Sequence, residues 1–197
     1  REGAAPLVLK IYEEHSLERA EQLLRQAAWL ADHGVPTPRP LASPDGALVW
    51  ELHGRAWTLQ PFVDGHALIP TPRAMAALGR GLARLHLAPA PPDLVGEFGM
   101  GFALFDELYD RAEAEGAWSP FLRDLQRGAV RLQEAIPGDL PRGAIHGDLF
   151  PDNVRFDGDT LAAILDLEEL CHDWLALDLA MAFVGCGWER GRPVRER

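Results

Sequence analysis

Two side chains in the segment HGDLFPDNV, residues 146–154, have the types and the spacing that phosphoryl transfer requires. Asp148 is followed five residues later by Asn153. A carboxylate can orient the attacking hydroxyl and accept its proton, and a nearby amide oxygen can hold a magnesium ion that neutralises the phosphates. The four residues between them let both side chains face one site. Asp148 is therefore predicted to be the catalytic carboxylate and Asn153 a metal ligand.

A second carboxylate and a lysine complete this set. Asp166 lies 13 residues beyond Asn153 in the apolar run ILDLE, where the end of a strand would present it to the metal. Lys10 lies in LVLKIYE, residues 7–13, whose alternation predicts a strand. Asp and Asn also cap helices and form turns, so the loop pair alone does not identify a kinase. The order of lysine strand, loop and carboxylate strand favours one.

The first 62 residues are predicted to form a small β-rich unit around Lys10. A helix should follow the strand, with Ser16 as its N-cap and Gly34 as a left-handed C-terminal cap. Two short strands, 47–52 and 56–62, should flank the turn His53-Gly54. The buried stripe of the helix is expected to comprise Leu17, Ala20, Leu24, Ala27 and Leu30.

Beyond residue 72 the pattern becomes mainly helical. Helices are predicted at 75–88, 102–116, 121–136 and 174–183, and the last is apolar on nearly all sides and so expected to be buried. Short strands beside a loop are expected within 144–156 and 161–170. This pattern predicts an α+β protein with a β-rich N-lobe (1–62) and a larger helical C-lobe (63–197), connected through residues 59–65.

The composition excludes several classes of protein. The formal charge of −11, with 19 Lys and Arg against 30 Asp and Glu, argues against a nucleic-acid partner. No apolar run is long enough for a membrane span. The two cysteines, Cys171 and Cys186, do not form a disulfide framework for a chain of 197 residues, so the cytoplasm is the expected compartment. An acidic chain can still bind ATP through a few placed cations and a metal.

The segments HGDLFPDNVRFDG and LAAILDLEELCHDWLALDLAMAF resemble the catalytic and metal-binding region of the aminoglycoside phosphotransferase and choline kinase superfamily. Within that superfamily they are most similar to the bacterial homoserine kinases. Further similarity lies in VLKIYE, LADHGVPTPRPL, WTLQPFVDG and LGRGLARLH. The resemblance implies a protein-kinase-like fold of two lobes.

The resemblance also implies a role for individual residues. Asp148 would be the catalytic base, and ATP and magnesium would be the cofactors. The metal ligands would be Asn153 and Asp166, the α- and β-phosphates would meet Lys10, and the adenine would meet the backbone around Gln60, Phe62 and Val63. His146 would support the catalytic loop, and Asp178 would brace it as a buried carboxylate.

Some positions depart from the pattern. The superfamily pairs its lysine with a glutamate on the following helix, but Glu21 is offset by about two residues, and Leu23 stands at the matching position. Gly147 replaces the arginine of protein kinases, and Leu167-Glu168 replaces their Phe-Gly pair, which argues against a protein kinase. The chain starts at the lysine strand, without the expected glycine-rich hairpin, and stops at GRPVRER, where the superfamily's large lobe continues with more helices. It is therefore expected to be incomplete at both ends.

The function predicted is transfer of the γ-phosphoryl group of ATP to a hydroxyl of a small molecule, with homoserine as the favoured acceptor. Aminoglycosides, choline and ethanolamine remain alternative acceptors, and an inactive kinase-fold binding protein remains an alternative function. The acceptor's charged groups could be met by side chains of the large lobe that the sequence does not rank: Arg111, Arg123, Asp106 and Glu107.

Overall fold

The structure is a computed structural model that describes residues 5–94, 96–189 and 192–193. Its helices are α1 (Leu17–Asp32), α2 (Pro72–Leu87), α3 (Phe102–Ala114), α4 (Pro120–Ala135) and α5 (Leu175–Cys186). Its strands are β1 (Leu7–Tyr12), β2 (Trp50–Leu52), β3 (Arg55–Pro61), β4 (Arg142–Ile145), β5 (Val154–Asp157), β6 (Thr160–Ile164), β7 (Cys171–Trp174), β8 (Trp188–Glu189) and β9 (Arg192–Pro193). This mixture confirms the α+β class. In the described part of the chain, no helix combines the length and the hydropathy needed to cross a bilayer.

The first three strands form an antiparallel sheet in the order β1-β3-β2. His53 and Gly54 connect β2 to β3 with φ values of 53° and 74°. Two successive positive φ values are typical of a type I′ turn, whose twist matches that of the paired strands. The predicted hairpin is thus confirmed. Strand β2 begins only at Trp50, because Ala47 still closes the preceding turn, where the Ser43 N–H donates to its carbonyl at 2.9 Å.

Helix α1 has the caps that its sequence predicts. The Ser16 hydroxyl accepts a hydrogen bond from the Arg19 N–H at 3.2 Å. At the other end Gly34 has a φ of +82°, and the Val35 N–H donates to the Leu30 carbonyl at 3.0 Å. This is the hydrogen bond of a Schellman motif, in which a glycine avoids the steric cost of the left-handed conformation. Val35 and Leu30 are both buried, which supplies the accompanying apolar contact.

The buried stripe of α1 differs from the prediction at its first member. Leu17 is 40% exposed, whereas Leu23 is only 3% exposed. Leu17 opens the helix in its first turn, where a side chain has neighbours on fewer sides, and the buried stripe starts at Ala20. The helix therefore lies against the sheet with Leu23 and Leu24 facing inward together.

The predicted burial of the last helix is wrong. Helix α5 spans Leu175–Cys186 and buries only Asp178, Ala182 and Cys186, while Leu179 and Val184 are 55% and 65% exposed. The helix packs one face against β4 and β7, and those two strands do not cover Leu179 and Val184. An apolar sequence predicts that a helix can be buried on all sides, but burial requires neighbours on all sides.

The largest core lies beneath the loops that follow β4 and β6. Strands β4 and β7 pair, β5 and β6 form a hairpin, and α2 packs against β4 and β6. The side chains at the centre of this core are almost completely buried: Leu78, Leu82, Leu85, Leu149, Val154, Phe156 and Ile164. Residues 146–153 and 165–170 are thereby fixed on top of a close-packed core.

Candidate active site

The loop after β4 turns sharply at Gly147. This residue has a φ of +78°, and a Cβ added there would lie 3.0 Å from the Glu169 carbonyl oxygen. Both the backbone conformation and the close approach therefore exclude larger residues at this position. The arginine that protein kinases carry here could not fit without moving the segment around Glu169. The turn directs Asp148, which is half-buried, away from the strand.

The carboxylate of Asp178 holds this turn from below, as the family resemblance implied. Its Oδ2 accepts the N–H of His146 at 3.0 Å, and its Oδ1 accepts the N–H of Gly147 at 3.0 Å. Asp178 lies on α5 with its side chain 0% exposed, and its Oδ2 also meets His86 Nε2 at 2.8 Å. Two backbone N–H groups and one imidazole thus satisfy a buried charge. The predicted bracing role of Asp178 is confirmed.

The side chain of His146 connects the loop after β4 to the residue that follows β6. Its Nε2 lies 2.8 Å from the Leu165 carbonyl oxygen, and the Asp148 N–H points to its Nδ1 at 3.2 Å. A donor at Nε2 and an acceptor at Nδ1 are both present only in the neutral Nε2–H tautomer. His146 is completely buried. The predicted supporting role is confirmed, since the ring fixes the backbone on both sides of the site.

Asp148 and Asn153 are in direct contact. The Asn153 amide Nδ2 donates to Asp148 Oδ2 at 3.0 Å and to the Asp148 carbonyl at 2.7 Å. These bonds use the nitrogen of the amide and leave its oxygen to accept a donor or ligate a cation. Asn153 ends the 3-10 turn Pro151–Asn153, which brings it back toward the start of the loop.

Asp166 lies next to this loop because the preceding residue, Leu165, forms a backbone hydrogen bond with it. The Leu165 N–H donates to the Asn153 carbonyl at 2.8 Å, directly after β6 ends at Ile164. Asp166 itself has a φ of +57°, a conformation that Asp tolerates better than most residues but that still carries strain. The side chain is 45% exposed and faces Lys10 on strand β1.

Lys10 lies across the cleft from the loops and pairs with two carboxylates. Its Nζ is 2.9 Å from Asp166 Oδ1 and 2.5 Å from Glu168 Oε1. Glu168 Oε2 in turn meets His15 Nε2 at 3.0 Å. Burial lowers the pKa of Lys10, but the hydrogen bonds to Glu168 and Asp166 outweigh it, so the pKa stands above its ordinary value. The side chain of Lys10 is therefore a positively charged ammonium group.

A pocket opens beside this ion pair, between α1, β3 and the segment after β6. Lys10, Leu23, Gln60 and Asp166 are among the residues that line it. Tyr12 lines it too, and burial raises the pKa of that phenol to about 12. The sequence-predicted Lys10, Gln60 and Asp166 therefore share one pocket.

Comparison with known proteins assigns the family. The pattern of the Phosphotransferase enzyme family matches residues 1–197. The chain belongs to this phosphotransferase family. It is 34% identical over 181 residues to a homoserine kinase of Methylobacillus flagellatus, a match that covers 89% of this chain and 55% of the relative. The chain thus spans about half the length of the curated relatives it matches, and others at 35% to 39% identity carry the same name.

Solved structures of phosphotransferases share the fold. An aminoglycoside-3'-phosphotransferase of type VIII is 22% identical, with a TM-score of 0.64, over 97% of this chain and 73% of that chain. An amicoumacin kinase, solved in complex with AMP-PNP and Ca2+, is 17% identical, with a TM-score of 0.67, over 99% of this chain and 62% of that chain. The predicted protein-kinase-like fold and the resemblance to this superfamily are confirmed.

The oxygen atoms of the candidate site are of the type that magnesium, the predicted cation, prefers. Asp166 offers carboxylate oxygens that are partly exposed, and Asn153 offers the amide oxygen that its contacts with Asp148 leave over. Hard oxygen ligands of this kind are the ones that magnesium prefers. The donor set therefore fits the predicted cation.

Three residues that contact the candidate site or its supporting carboxylate were not predicted from the sequence: His15, His86 and Glu168. His86 lies in the last turn of α2, which ends at Leu87, and a histidine at this position was an available signal. In the sequence, Glu168 stands out only as a departure from the protein-kinase pattern. His15 and Glu168 carried no local signal, because they meet 153 positions apart.

The other predicted binding residues lie around the same cleft or farther away. Phe62, at the end of β3, is half-exposed, and its N–H donates to the Pro6 carbonyl at 3.0 Å, while Val63 is partly buried. Arg123 stacks over the Trp118 ring at 5.0 Å. The remaining acceptor candidates are exposed side chains of α3: Asp106, Glu107 and Arg111.

Proposed function

We propose that this member of the phosphotransferase family transfers the γ-phosphoryl group of ATP to a hydroxyl of a small molecule, with homoserine as the favoured acceptor. The observation that carries the proposal is the Asp148 carboxylate on a loop braced by Asp178 and held 3.0 Å from the Asn153 amide. The shared name of the curated relatives supports homoserine as the acceptor.

Asp148 would act on the acceptor. Its carboxylate would accept the hydroxyl proton while the hydroxyl oxygen forms a bond to the γ-phosphorus and the bond from that phosphorus to the β–γ bridging oxygen breaks, which releases ADP. The hydrogen bond from Asn153 fixes the orientation of the carboxylate before the acceptor arrives. Positioning of this kind supplies much of the catalysis in phosphoryl transfer.

The charged residues of the cleft would bind the nucleotide. Lys10 would meet the α- and β-phosphates as a permanent cation. Asn153 and Asp166 would hold magnesium, which when bound neutralises charge on the phosphates. The backbone around Gln60, and through Phe62 and Val63, would meet the adenine between an N-lobe of residues 1–62 and a C-lobe of residues 63–197. We propose the cytoplasm as the compartment, because ATP is the phosphoryl donor.

A panel of acceptors tests this proposal. The purified protein would be incubated with ATP, magnesium and, separately, homoserine, choline, ethanolamine and an aminoglycoside, and ADP release and the phosphorylated product would be measured. We expect release above the background rate with homoserine alone. Release with a different acceptor would replace homoserine, and binding of ATP without release for any acceptor would favour an inactive kinase-fold binding protein.

A further inference from the structure

Lys10 is the only lysine of the 197 residues. We propose that Glu168, and no carboxylate of helix α1, is the positioning residue that holds this lysine for the nucleotide phosphates. The inference rests on the proposed function, in which Lys10 meets those phosphates. It assigns a role to a residue that otherwise marks only a departure from protein kinases.

Helix α1 directs no carboxylate at Lys10. Glu21 forms an ion pair with Arg25, one turn further along the helix, at 3.0 Å. Leu23, the position where the superfamily's glutamate would stand, is buried and lines the pocket together with Lys10. A glutamate at that position would be needed for the usual lysine–helix pair. The helix therefore contributes an apolar wall, and the counter-charge comes from elsewhere.

Glu168 makes two contacts that fix its carboxylate. Oε1 lies 2.5 Å from Lys10 Nζ, and Oε2 lies 3.0 Å from His15 Nε2. The side chains of Lys10 and Glu168 are only 26% and 32% exposed, so solvent screens this pair less than a surface pair. Lys10 belongs to β1, and His15 lies between β1 and α1. Glu168 thus links the strand–helix junction to the segment that follows β6.

Asp166 cannot replace Glu168 in this role. Asp166 also contacts Lys10, at 2.9 Å, but it is more exposed, at 45%, and is the proposed metal ligand. If Asp166 binds the magnesium ion, its carboxylate is no longer available to hold the lysine in place. Glu168 has a second partner in His15, a contact that does not involve Asp166. Asp166 is therefore assigned to the metal and Glu168 to the lysine.

The single lysine permits a direct test. Protein labelled with 13C-lysine gives one side-chain Cε signal, whose relaxation reports how ordered the Lys10 side chain is. We expect Glu168→Gln to lower that order clearly, while the matched control Glu21→Gln leaves it unchanged. A Lys10 signal that keeps its order in Glu168→Gln, or that loses it in Glu21→Gln, would overturn the proposal. This measurement needs no catalysis, so it stands whether or not the proposed acceptor is correct.

Nucleotide affinity provides the second readout. Titration with ADP and magnesium should show binding about tenfold weaker in Glu168→Gln than in the wild type, the effect of one charge-assisted hydrogen bond. In a Lys10→Met background the same change should add no further loss, because Glu168 acts through Lys10. A further tenfold loss in that background would overturn the proposal. Failure of the wild type to bind ADP at all would refute the proposed function but not the placement of Lys10.

A second variant covers the case in which Glu168→Gln does not fold, as judged by circular dichroism. His15→Ala leaves Glu168 in place and removes the contact that orients Oε2. We expect a smaller but measurable loss of Lys10 order in this variant. An unchanged lysine signal would contradict the inference.

Discussion

Replacing Asp178 by alanine should destabilise the protein far more than replacing an exposed aspartate. The carboxylate is 0% exposed and accepts three hydrogen bonds: from the His146 N–H, the Gly147 N–H and the His86 ring. Its removal leaves two buried N–H groups and one buried imidazole without partners. A buried donor that loses its acceptor keeps its desolvation cost and gains nothing in return.

The expected loss follows from these contacts. Each buried polar group left unsatisfied costs about 1–3 kcal/mol, and here three groups lose their acceptor together. Removal of the carboxylate also removes its own desolvation cost, which offsets part of this loss. We therefore expect the free energy of unfolding to fall by about 4 kcal/mol. With an unfolding entropy of about 0.4 kcal/mol/K for a chain of this size, Tm should fall by about 10 °C.

Urea denaturation followed by circular dichroism measures this change. Asp110→Ala, an exposed position on α3, serves as the control and should change the free energy by less than about 0.5 kcal/mol. Asp178→Asn, which keeps one acceptor oxygen, should fall between the two. A loss below about 1 kcal/mol for Asp178→Ala would show that the catalytic loop is held by other contacts.

Three further outcomes are expected. Asp166→Ala should weaken ATP binding in the presence of magnesium but not in its absence, and a variant that binds ATP as tightly as the wild type in the presence of magnesium would remove Asp166 as a metal ligand. Gly185→Ala should lower Tm by several degrees, because its Cβ would lie 2.8 Å from the Phe150 ring, and an unchanged melting curve would contradict this packing. Burial raises the pKa of Cys171 to about 12 and that of Cys186 to about 11, so both thiols stay protonated at pH 8. They should therefore react with a thiol reagent only after unfolding, and fast reaction of the native protein would refute this.

Features encoded by neighbouring residues were predictable from the sequence. The Ser16 cap, the left-handed Gly34 and the His53-Gly54 turn each depend on a few adjacent positions, and each is present in the structure. The spacing of Asp148 and Asn153 likewise places two side chains on one short loop, where they contact each other.

Features set by packing were not predictable in the same way. The contact of Lys10 with Asp166 joins residues 156 positions apart, and that of His86 with Asp178 joins residues 92 positions apart. No local pattern selects Glu168 over Glu21, because the choice depends on how the strand–helix junction meets the segment after β6. The exposure of one face of α5 was unpredictable for the same reason, because the sequence of a helix does not specify which other elements pack against it.

The role of Asp148 is tested most directly by Asp148→Asn, with the exposed Asp152→Asn on the same loop as the control. Phosphorylated homoserine would be measured by mass spectrometry and the affinity for ATP by calorimetry. Loss of the general base predicts a rate lower by about 10²–10⁴-fold for Asp148→Asn with ATP affinity almost unchanged, and a normal rate for Asp152→Asn. Turnover by Asp148→Asn at the wild-type rate would contradict the account.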